Sequence, residues 1–366
     1  MVMAVRDVSG LRIAVVCPYA MDVPGGVQQH THGLAAHLRE GGAAVTLLAP
    51  GRHSPQGAEF ASIGAARAFS DNGSVTRTLI APWSLARLGR RLRRGYYDIV
   101  HVHEPMLPPG LAAIAATQAA VVATFHMASA DARWYRRFAP VVRRARRRID
   151  AAIAVSPQAR DLVASVLPGR YRIVPNAVEM HAPVAPGANG NGVPRLLYVG
   201  RADPRKGLDV LLRAFRRVSA PARLDLAGPV AADTADPRVH ALGPVSELHL
   251  RALLEAADVV CVPSLRAESF GIVIVEAMAA GAAVVASDLE GYAGVLPRRC
   301  GRLVTAGDAV ALGDVLEDMI SAPDTLRRMG EEGRRRACAY GWGAVLPQIL
   351  DVYCEAVEHR HGACRS

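Results

Sequence analysis

Two runs of short apolar strands, each strand followed by a helical stretch, stand on either side of the segment VAPGANGNGVP at 184–194. Parallel strands need a crossover between them and a helix supplies it, so the alternation predicts parallel sheets, not bundles or meanders. In the first run the strands are LRIAVVCPY (11–19), AAVTLLAP (43–50), YDIVHVHEP (97–105), VVATFH (121–126) and AAIAVS (151–156), with YRIVPNAV (171–178) closing it. Helices are expected over 27–39, 83–94, an alanine-rich stretch after 105, and 131–149. Residues 51–79 read as irregular, with turn signals at Asp71-Asn72-Gly73. The second run holds RLLYVGR (195–201), RLDLAG (223–228), VVCVPS (259–264) and AAVVAS (282–287), with helices over 207–218, 246–256, 270–280 and 308–320, and a last helix over 342–358. The expected class is α/β: two Rossmann-like, doubly wound domains at 11–183 and 195–340. A Gly/Pro/Asn linker at 184–194 joins them, and a ligand cleft lies between them.

The chain of 366 residues is long enough for two cores. No apolar run is long enough to span a bilayer. The start, MVMAVRDVSG, leads into a strand and not a signal peptide, so a cytoplasmic location is expected. The six cysteines are scattered without a C-x-x-C pair, which fits free thiols and argues against structural zinc. Of the 43 basic residues behind a net charge of +10, only Lys206 is a lysine. A compact ammonium and a planar guanidinium are not interchangeable at a tight phosphate site, so the lone lysine singles out that position.

The chemistry concentrates in SLRAESFGIVIVEAMAAGAAVVAS (264–287), where Glu268 lies in a loop and Glu276 eight positions on in a helix. Phe270, Gly271 and Ile272 begin that helix, Ser269 is the expected N-cap and Gly281 the stop. A helix start offers free N–H groups and partial positive charge to a phosphate. The helix is apolar almost all round, so Glu276 needs a partner, either an arginine or a ligand hydroxyl. Arg201 and Lys206 follow strand 195–201 at its carboxyl end and would add two cations for a diphosphate.

In the first half Pro24-Gly25-Gly26 follows the first strand and opens a helix, an anion loop in form without the G-x-G-x-x-G pattern. His126 ends a strand. His101 and His103 share a strand face, and with Glu104 raise the question of a metal; no third ligand is evident, so one is expected to line the cleft and the other to pack. The chain has no D-x-D motif for a donor-bound cation; the nearest pattern is Asp288-Leu289-Glu290. In 83–94, Leu85, Leu88 and Leu92 share one face and Arg87, Arg91 and Arg94 another, the pattern either of a membrane-surface helix or of a sheet cover. Segment 131–149 has a similar stripe, with Trp134, Tyr135 and Phe138 on its apolar side, and reads as a sheet cover. Few aromatics interleave with the arginines, which argues against nucleic acid as a partner. The tail residues His359, His361 and Cys364 read as solvated.

These residues resemble glycosyltransferase family 4, retaining enzymes of the GT-B architecture, over the chain from Leu11 to about Val357, which implies that a C-terminal helix at 341–358 crosses back onto the first domain. The specific match is E-x7-E, Glu268 to Glu276. Within the family CPYAMDVPGGVQQH, NGSVTR (72–77), HVHEP, TFH and the basic segment 87–94 are similar to the actinobacterial phosphatidylinositol mannosyltransferases. The resemblance implies a catalytic group of His126, Arg201, Lys206 and Glu268. Arg201 and Lys206 would hold the diphosphate beside Phe270, Gly271 and Ile272, with Gly25 and Gly26 approaching it. Glu276 would bind ribose, Glu268 the transferred sugar, and His126 that sugar from across the cleft. Tyr19, Asp22, Gln28, Asn72 and Arg77 would face the acceptor, and Arg87, Arg90 and Arg91 an anionic lipid surface. Glu247, in GPVSELHLRALL, could accept from guanine, although Leu250 stands where that group has a lysine, and Gly89 interrupts the basic helix.

The expected reaction moves mannose from GDP-mannose to phosphatidylinositol, with the protein peripheral on the inner face of the cell membrane and no protein-bound metal. The alternatives are a UDP-sugar transferase acting on a soluble or other lipid acceptor, and a sugar-nucleotide epimerase.

Overall fold

The computed structural model describes residues 7–23, 25–52, 60–71, 74–79, 81–127, 139–181, 192–201, 203–230, 235–266 and 268–363. The chain divides into two compact units, one of residues 1–177 with 342–366, the other of residues 178–341. The first passage between units thus falls at Ala177–Val178, ahead of the Gly/Pro-rich segment, of which 184–191 lies outside the described residues.

The first unit is built on β1 (Arg12–Val16), β2 (Ala44–Ala49), β3 (Phe60–Ser62), β6 (Ile99–His103), β7 (Ala120–Phe125), β8 (Ala151–Ala154) and β9 (Arg172–Ile173), with a separate antiparallel hairpin of β4 (Arg67–Asp71) and β5 (Ser74–Thr78). The sheet runs β3-β2-β1-β6-β7-β8-β9 and is parallel throughout. Its order reverses between β1 and β6, which opens a crevice at the carboxyl ends of those two strands. Alternation along β1 divides two cores. Ile13 and Val15 join Leu34 and Leu38 of α1 (Gly26–Glu40) and Val345, Ile349 and Tyr353 of the C-terminal helix. Ala14 and Val16 join Leu88 and Leu92 of α2 (Pro82–Arg94) and Ile114 of α3 (Pro108–Ala116) on the opposite face. Helices α4 (Ala139–Arg146) and α5 (Pro157–Val166) complete the unit's own run.

The second unit carries β10 (Arg195–Val199), α6 (Leu208–Phe215), β11 (Arg223–Ala227), β12 (Val239–Gly243), α7 (Glu247–Ala256), β13 (Val259–Val262), α8 (Ile272–Ala280), β14 (Ala283–Ser287), α9 (Glu290–Ala293), β15 (Gly301–Val304), α10 (Ala309–Ile320) and α11 (Pro323–Ala337). Its sheet runs β12-β11-β10-β13-β14-β15, again parallel, and reverses between β10 and β13. The chain then returns to the first unit as α12 (Trp342–Ala363), which lies on β7 and β8.

The expectations need correction at three places. Within the segment read as irregular, 60–62 form β3, and 67–71 and 74–78 pair as β4 and β5, where the polar sequences RAFSD and SVTRT give no apolar run. Helix α11 was not legible, because its inward face is made of Leu326, Met329, Gly330, Gly333 and Ala337, with arginines between. Gly330 and Gly333 let it approach the Gly281 carbonyl and Met278 at the end of α8. The helix of the E-x7-E motif begins at Ile272, not 270. Its N-cap is Gly271 in the left-handed region (φ +80°), not Ser269, and this turn points the chain into the helix two residues later than expected. Of the apolar stripe expected along 131–149, Trp134, Tyr135 and Phe138 lie outside the described residues, and the helix described is Ala139–Arg146.

Candidate functional site

The two loops at the second unit's reversal point are laid backbone on backbone. After β10, the Asp203 carboxylate accepts from the Arg205 N–H at 3.0 Å and pairs with its guanidinium at 2.8 Å, closing a single 3-10 turn at Pro204–Lys206. Gly207 follows with φ +67°, and a Cβ there would come within 2.0 Å of the Pro263 carbonyl oxygen, so only glycine allows the approach. Leu265 N–H donates to the Arg205 carbonyl at 2.7 Å, locking the second loop to the first.

That contact sets Lys206 Nζ 2.6 Å from Glu268 Oε1, with the two side chains 29% and 20% exposed. Sequence reasoning named both residues but did not foresee that they would pair. It also missed their supports. Tyr292 OH donates to Ser264 Oγ at 2.8 Å, and Ser264 Oγ lies 3.4 Å from the same Glu268 oxygen. Burial, and then the Glu268 charge, raises the Tyr292 phenol well above its ordinary pKa, which keeps its proton available to donate.

Beside this pair, α8 starts at Ile272 with no described side chain capping it and no acidic residue in its first turn. Its first N–H groups and partial positive charge suit an anion. Phe270 is buried, with its ring edge-to-face against Tyr340 at 5.7 Å, which anchors the loop. Arg201 lies exposed at the mouth of the first loop, and Glu276 is half-buried one turn into α8. Glu247 opens α7 behind the Ser246 N-cap, on a helix packed against α8. Its pKa is raised by desolvation and by the Glu179 carboxylate.

At the first unit's reversal point the loop after β1 is tied down from three sides. Met21 N–H donates to the Pro50 carbonyl, and Thr78 Oγ1 donates to the Pro18 carbonyl at 2.8 Å. The Gln28 amide donates to the carbonyls of Val23 and Ala20 at 3.0 and 3.3 Å. Gln28 therefore spends its amide on the loop, and Gly25 caps α1 with an extended backbone ahead of Gly26. Tyr19 bridges to Thr78, so the end of β5, where Arg77 lies, is drawn beside Tyr19; Asp22, three residues on, is exposed. Asn72 lies outside the described residues.

His101 and His103 were expected to divide between lining and packing; both are fully buried. The β6–β7 register sets His103 opposite Thr124, two residues short of His126. The rings of His101 and His103 stack at 4.4 Å and those of His103 and His126 at 5.2 Å, with His30 edge-on to the last two. His103 Nδ1 and His126 Nε2 share a hydrogen bond of 2.9 Å, and His101 bonds Tyr353 OH and Thr124 Oγ1. Burial comes first in lowering all four imidazoles, His30 to about 4, His101 to about 3, His103 and His126 well below the ordinary value, so the stack is neutral. Glu104, raised by burial to about 7, ends β6 beside them. Among the described residues no group of His, Cys, Asp or Glu is disposed to hold a metal ion.

On α2, Leu88, Gly89 and Leu92 are buried, Gly89 lies against Ala116 of α3 with room for ordinary contact, and the helix is continuous through it. Arg87, Arg90 and Arg91 are exposed, as are Trp83 (67%) at the helix start and Tyr96 just past its end. Trp83 was read as an ordinary helix residue; its exposure beside arginines was not deduced. Among the described residues no helix is long and apolar enough to cross a membrane. At the tail, His359 contacts Asp150 at 3.2 Å, His361 is exposed and Cys364 lies outside the described residues.

Residues 24–181 match the family model Glycosyltransferase Family 4, and residues 193–322 match Glycosyl transferases group 1. The chain is 36% identical to a phosphatidyl-myo-inositol mannosyltransferase of Mycobacterium leprae, covering 94% of this chain and 96% of that protein. It is 36% identical to the protein of the same name from Mycolicibacterium smegmatis, covering 94% and 93%. Among solved structures it is similar to Anabaena HepE in complex with UDP and glucose, with a TM-score of 0.75 at 17% identity, covering 93% of this chain and 98% of that one.

Proposed function

The chain belongs to glycosyltransferase family 4, with the two Rossmann-like units of the GT-B class, and from that premise we propose that it transfers mannose from GDP-mannose, with retention at the anomeric carbon, to a hydroxyl of phosphatidylinositol. The observation that carries the donor half is the meeting of Lys206, Glu268 and the uncapped start of α8 at one reversal point. A diphosphate bound there takes the Lys206 ammonium, the exposed Arg201 guanidinium and the N–H groups at Gly271 and Ile272. These charges stabilise the leaving diphosphate, so no protein-bound metal is assigned a role. Glu268 takes sugar hydroxyls, Glu276 the ribose and Glu247 the base. His126 contacts the transferred sugar, and Gly25 and Gly26 the phosphate. The departing phosphate oxygen accepts the proton of the acceptor hydroxyl as the new bond forms on the same face of the sugar.

The acceptor half draws support from the names of the relatives and from α2, where Arg87, Arg90 and Arg91 beside exposed Trp83 suit an anionic lipid surface on the cytoplasmic side. The acceptor hydroxyl then meets Tyr19, Asp22, Gln28, Asn72 and Arg77. A second reading, transfer from a UDP-sugar to a soluble or other lipid acceptor, is favoured by Leu250 on α7, the helix where the base would be read. Purified protein with phosphatidylinositol vesicles and either GDP-mannose or UDP-glucose separates the two. A mannosylated lipid from GDP-mannose alone is expected; product from UDP-glucose only, or on a soluble acceptor only, overturns the proposal.

Replacing Arg87, Arg90 and Arg91 together by alanine is expected to weaken binding to anionic vesicles by about 100-fold at low salt, at about 1 kcal/mol per basic residue. The apolar side of α2 is untouched, so helicity and thermal stability stay at wild-type values. Co-sedimentation that is unchanged in the triple variant would remove α2 from the membrane contact.

A further inference from the structure

Glu104 combines three features that a chain does not hold without a return. It has φ +46° although it is not glycine, it is 1% exposed, and its Oε2 has no hydrogen-bond partner among the described residues. Its backbone explains how it is held: its N–H donates to the Thr124 carbonyl at 2.9 Å, and its carbonyl accepts from Leu107 at 3.1 Å. The left-handed turn swings the side chain across to the end of β7. There Oε1 accepts from the His126 N–H at 2.8 Å.

His103, the residue before it, holds the ring of the same histidine at 2.9 Å. Two consecutive residues thus grip His126, one by the imidazole and one by the main chain. The shared proton also fixes how the outer nitrogens behave. If His103 Nδ1 donates, His126 carries its proton on Nδ1 and His103 Nε2 is bare; if His126 Nε2 donates, the two are reversed. Both outer nitrogens lack hydrogen-bond partners among the described residues, and the Asn176 side chain, whose Oδ1 is likewise unpartnered, faces His126 and favours its charged form.

We propose that Glu104 is a positioning residue of the transfer reaction, which sets the place of His126 by holding its backbone amide while His103 sets the orientation of its ring. This rests on the reading that His126 meets the transferred sugar. What Glu104 supplies to the His126 amide is an oxygen at a fixed reach. Glutamine, with the same reach and a carbonyl oxygen, keeps the contact to the His126 amide. Aspartate keeps the carboxyl group but is one methylene too short to reach the His126 amide.

The test compares Glu104→Gln, Glu104→Asp, Glu104→Ala and His126→Ala by steady-state transfer from GDP-mannose, GDP affinity by calorimetry, and melting temperature. Glu104→Gln is expected to keep kcat within about threefold of wild type. Glu104→Asp and Glu104→Ala are expected to lose about 30-fold or more in kcat, with GDP affinity unchanged and KM moved little. Adding Glu104→Ala to His126→Ala should cost no further activity. If the alanine variant does not fold, the Gln and Asp pair decides alone. Equal activity in Gln and Asp, a better Asp than Gln, or additive losses in the double variant overturns the proposal while leaving the role of His126 standing. Full activity in His126→Ala removes the role of His126 and the proposal with it.

Discussion

Lys206→Ala is expected to lower kcat/KM by about 10³-fold with every nucleotide-sugar donor, roughly 4 kcal/mol of transition-state stabilisation, and to reduce GDP affinity as well. The size follows from what is removed and what is left behind. The ammonium stands at the carboxyl end of β10 beside the open start of α8, where a leaving diphosphate gains most of its charge as the glycosidic bond breaks. Its loss also strips Glu268 of the cation 2.6 Å away, so a bare carboxylate faces the incoming phosphates. The fold of the loop does not depend on the ammonium. The turn is held by the Asp203–Arg205 pair, by Gly207 against Pro263 and by Leu265 N–H on the Arg205 carbonyl, so the melting temperature should stay within about two degrees of wild type. Lys206→Arg is expected to recover only part of the loss, because a planar fork cannot occupy the place of a compact ammonium between a carboxylate and a diphosphate. Steady-state kinetics and GDP calorimetry check both variants. Near-normal turnover in Lys206→Ala would sink the donor site.

The position of Lys206 was legible because one lysine stands in a chain that otherwise writes arginine, and that of Glu268 because E-x7-E spans a loop and a helix start. Their 2.6 Å contact was not. It depends on how closely two loops, one after β10 and one after β13, are laid together, and the glycine that permits it, Gly207, announces only a turn in the sequence. Ser264 and Tyr292 escaped for the same reason: 28 positions separate them, and only α9 brings the phenol back over the loop. The strands of both sheets were readable because parallel strands covered on both faces are written as nearly continuous apolar runs, such as VVATF and VVCV. The hairpin β4–β5 and helix α11 lack that signature, one being polar and short, the other presenting glycines where a helix is expected to present leucines. Parity put His101 and His103 on one face, but the neutral stack with His126 and His30 is a consequence of the β6–β7 register and of α1 closing over it. One-dimensional spacing carries no record of either.

Glu268→Gln is expected to separate donor-nucleotide binding from turnover: GDP bound about fivefold more tightly than by wild type, transfer slowed by about 100-fold. In the donor-free protein the carboxylate is Lys206's partner, and Ser264 Oγ, itself held by Tyr292, lies beside the same oxygen. A nucleoside diphosphate without sugar must draw Lys206 away from that partner and offers Glu268 nothing in exchange. A partly exposed pair of this kind contributes about 1 kcal/mol, which sets the fivefold gain when the charge is removed. With the complete donor the exchange is balanced: phosphate takes the ammonium, and the sugar hydroxyls donate to the released carboxylate. The amide of glutamine is a weaker acceptor for those hydroxyls as positive charge grows at the anomeric carbon, and the loss appears in kcat. Calorimetry with GDP and initial rates with GDP-mannose read the two effects separately. Weaker GDP binding in Glu268→Gln would mean that the carboxylate assists the nucleotide directly and that the pair with Lys206 is not exchanged on binding; turnover within twofold of wild type would take Glu268 away from the sugar altogether.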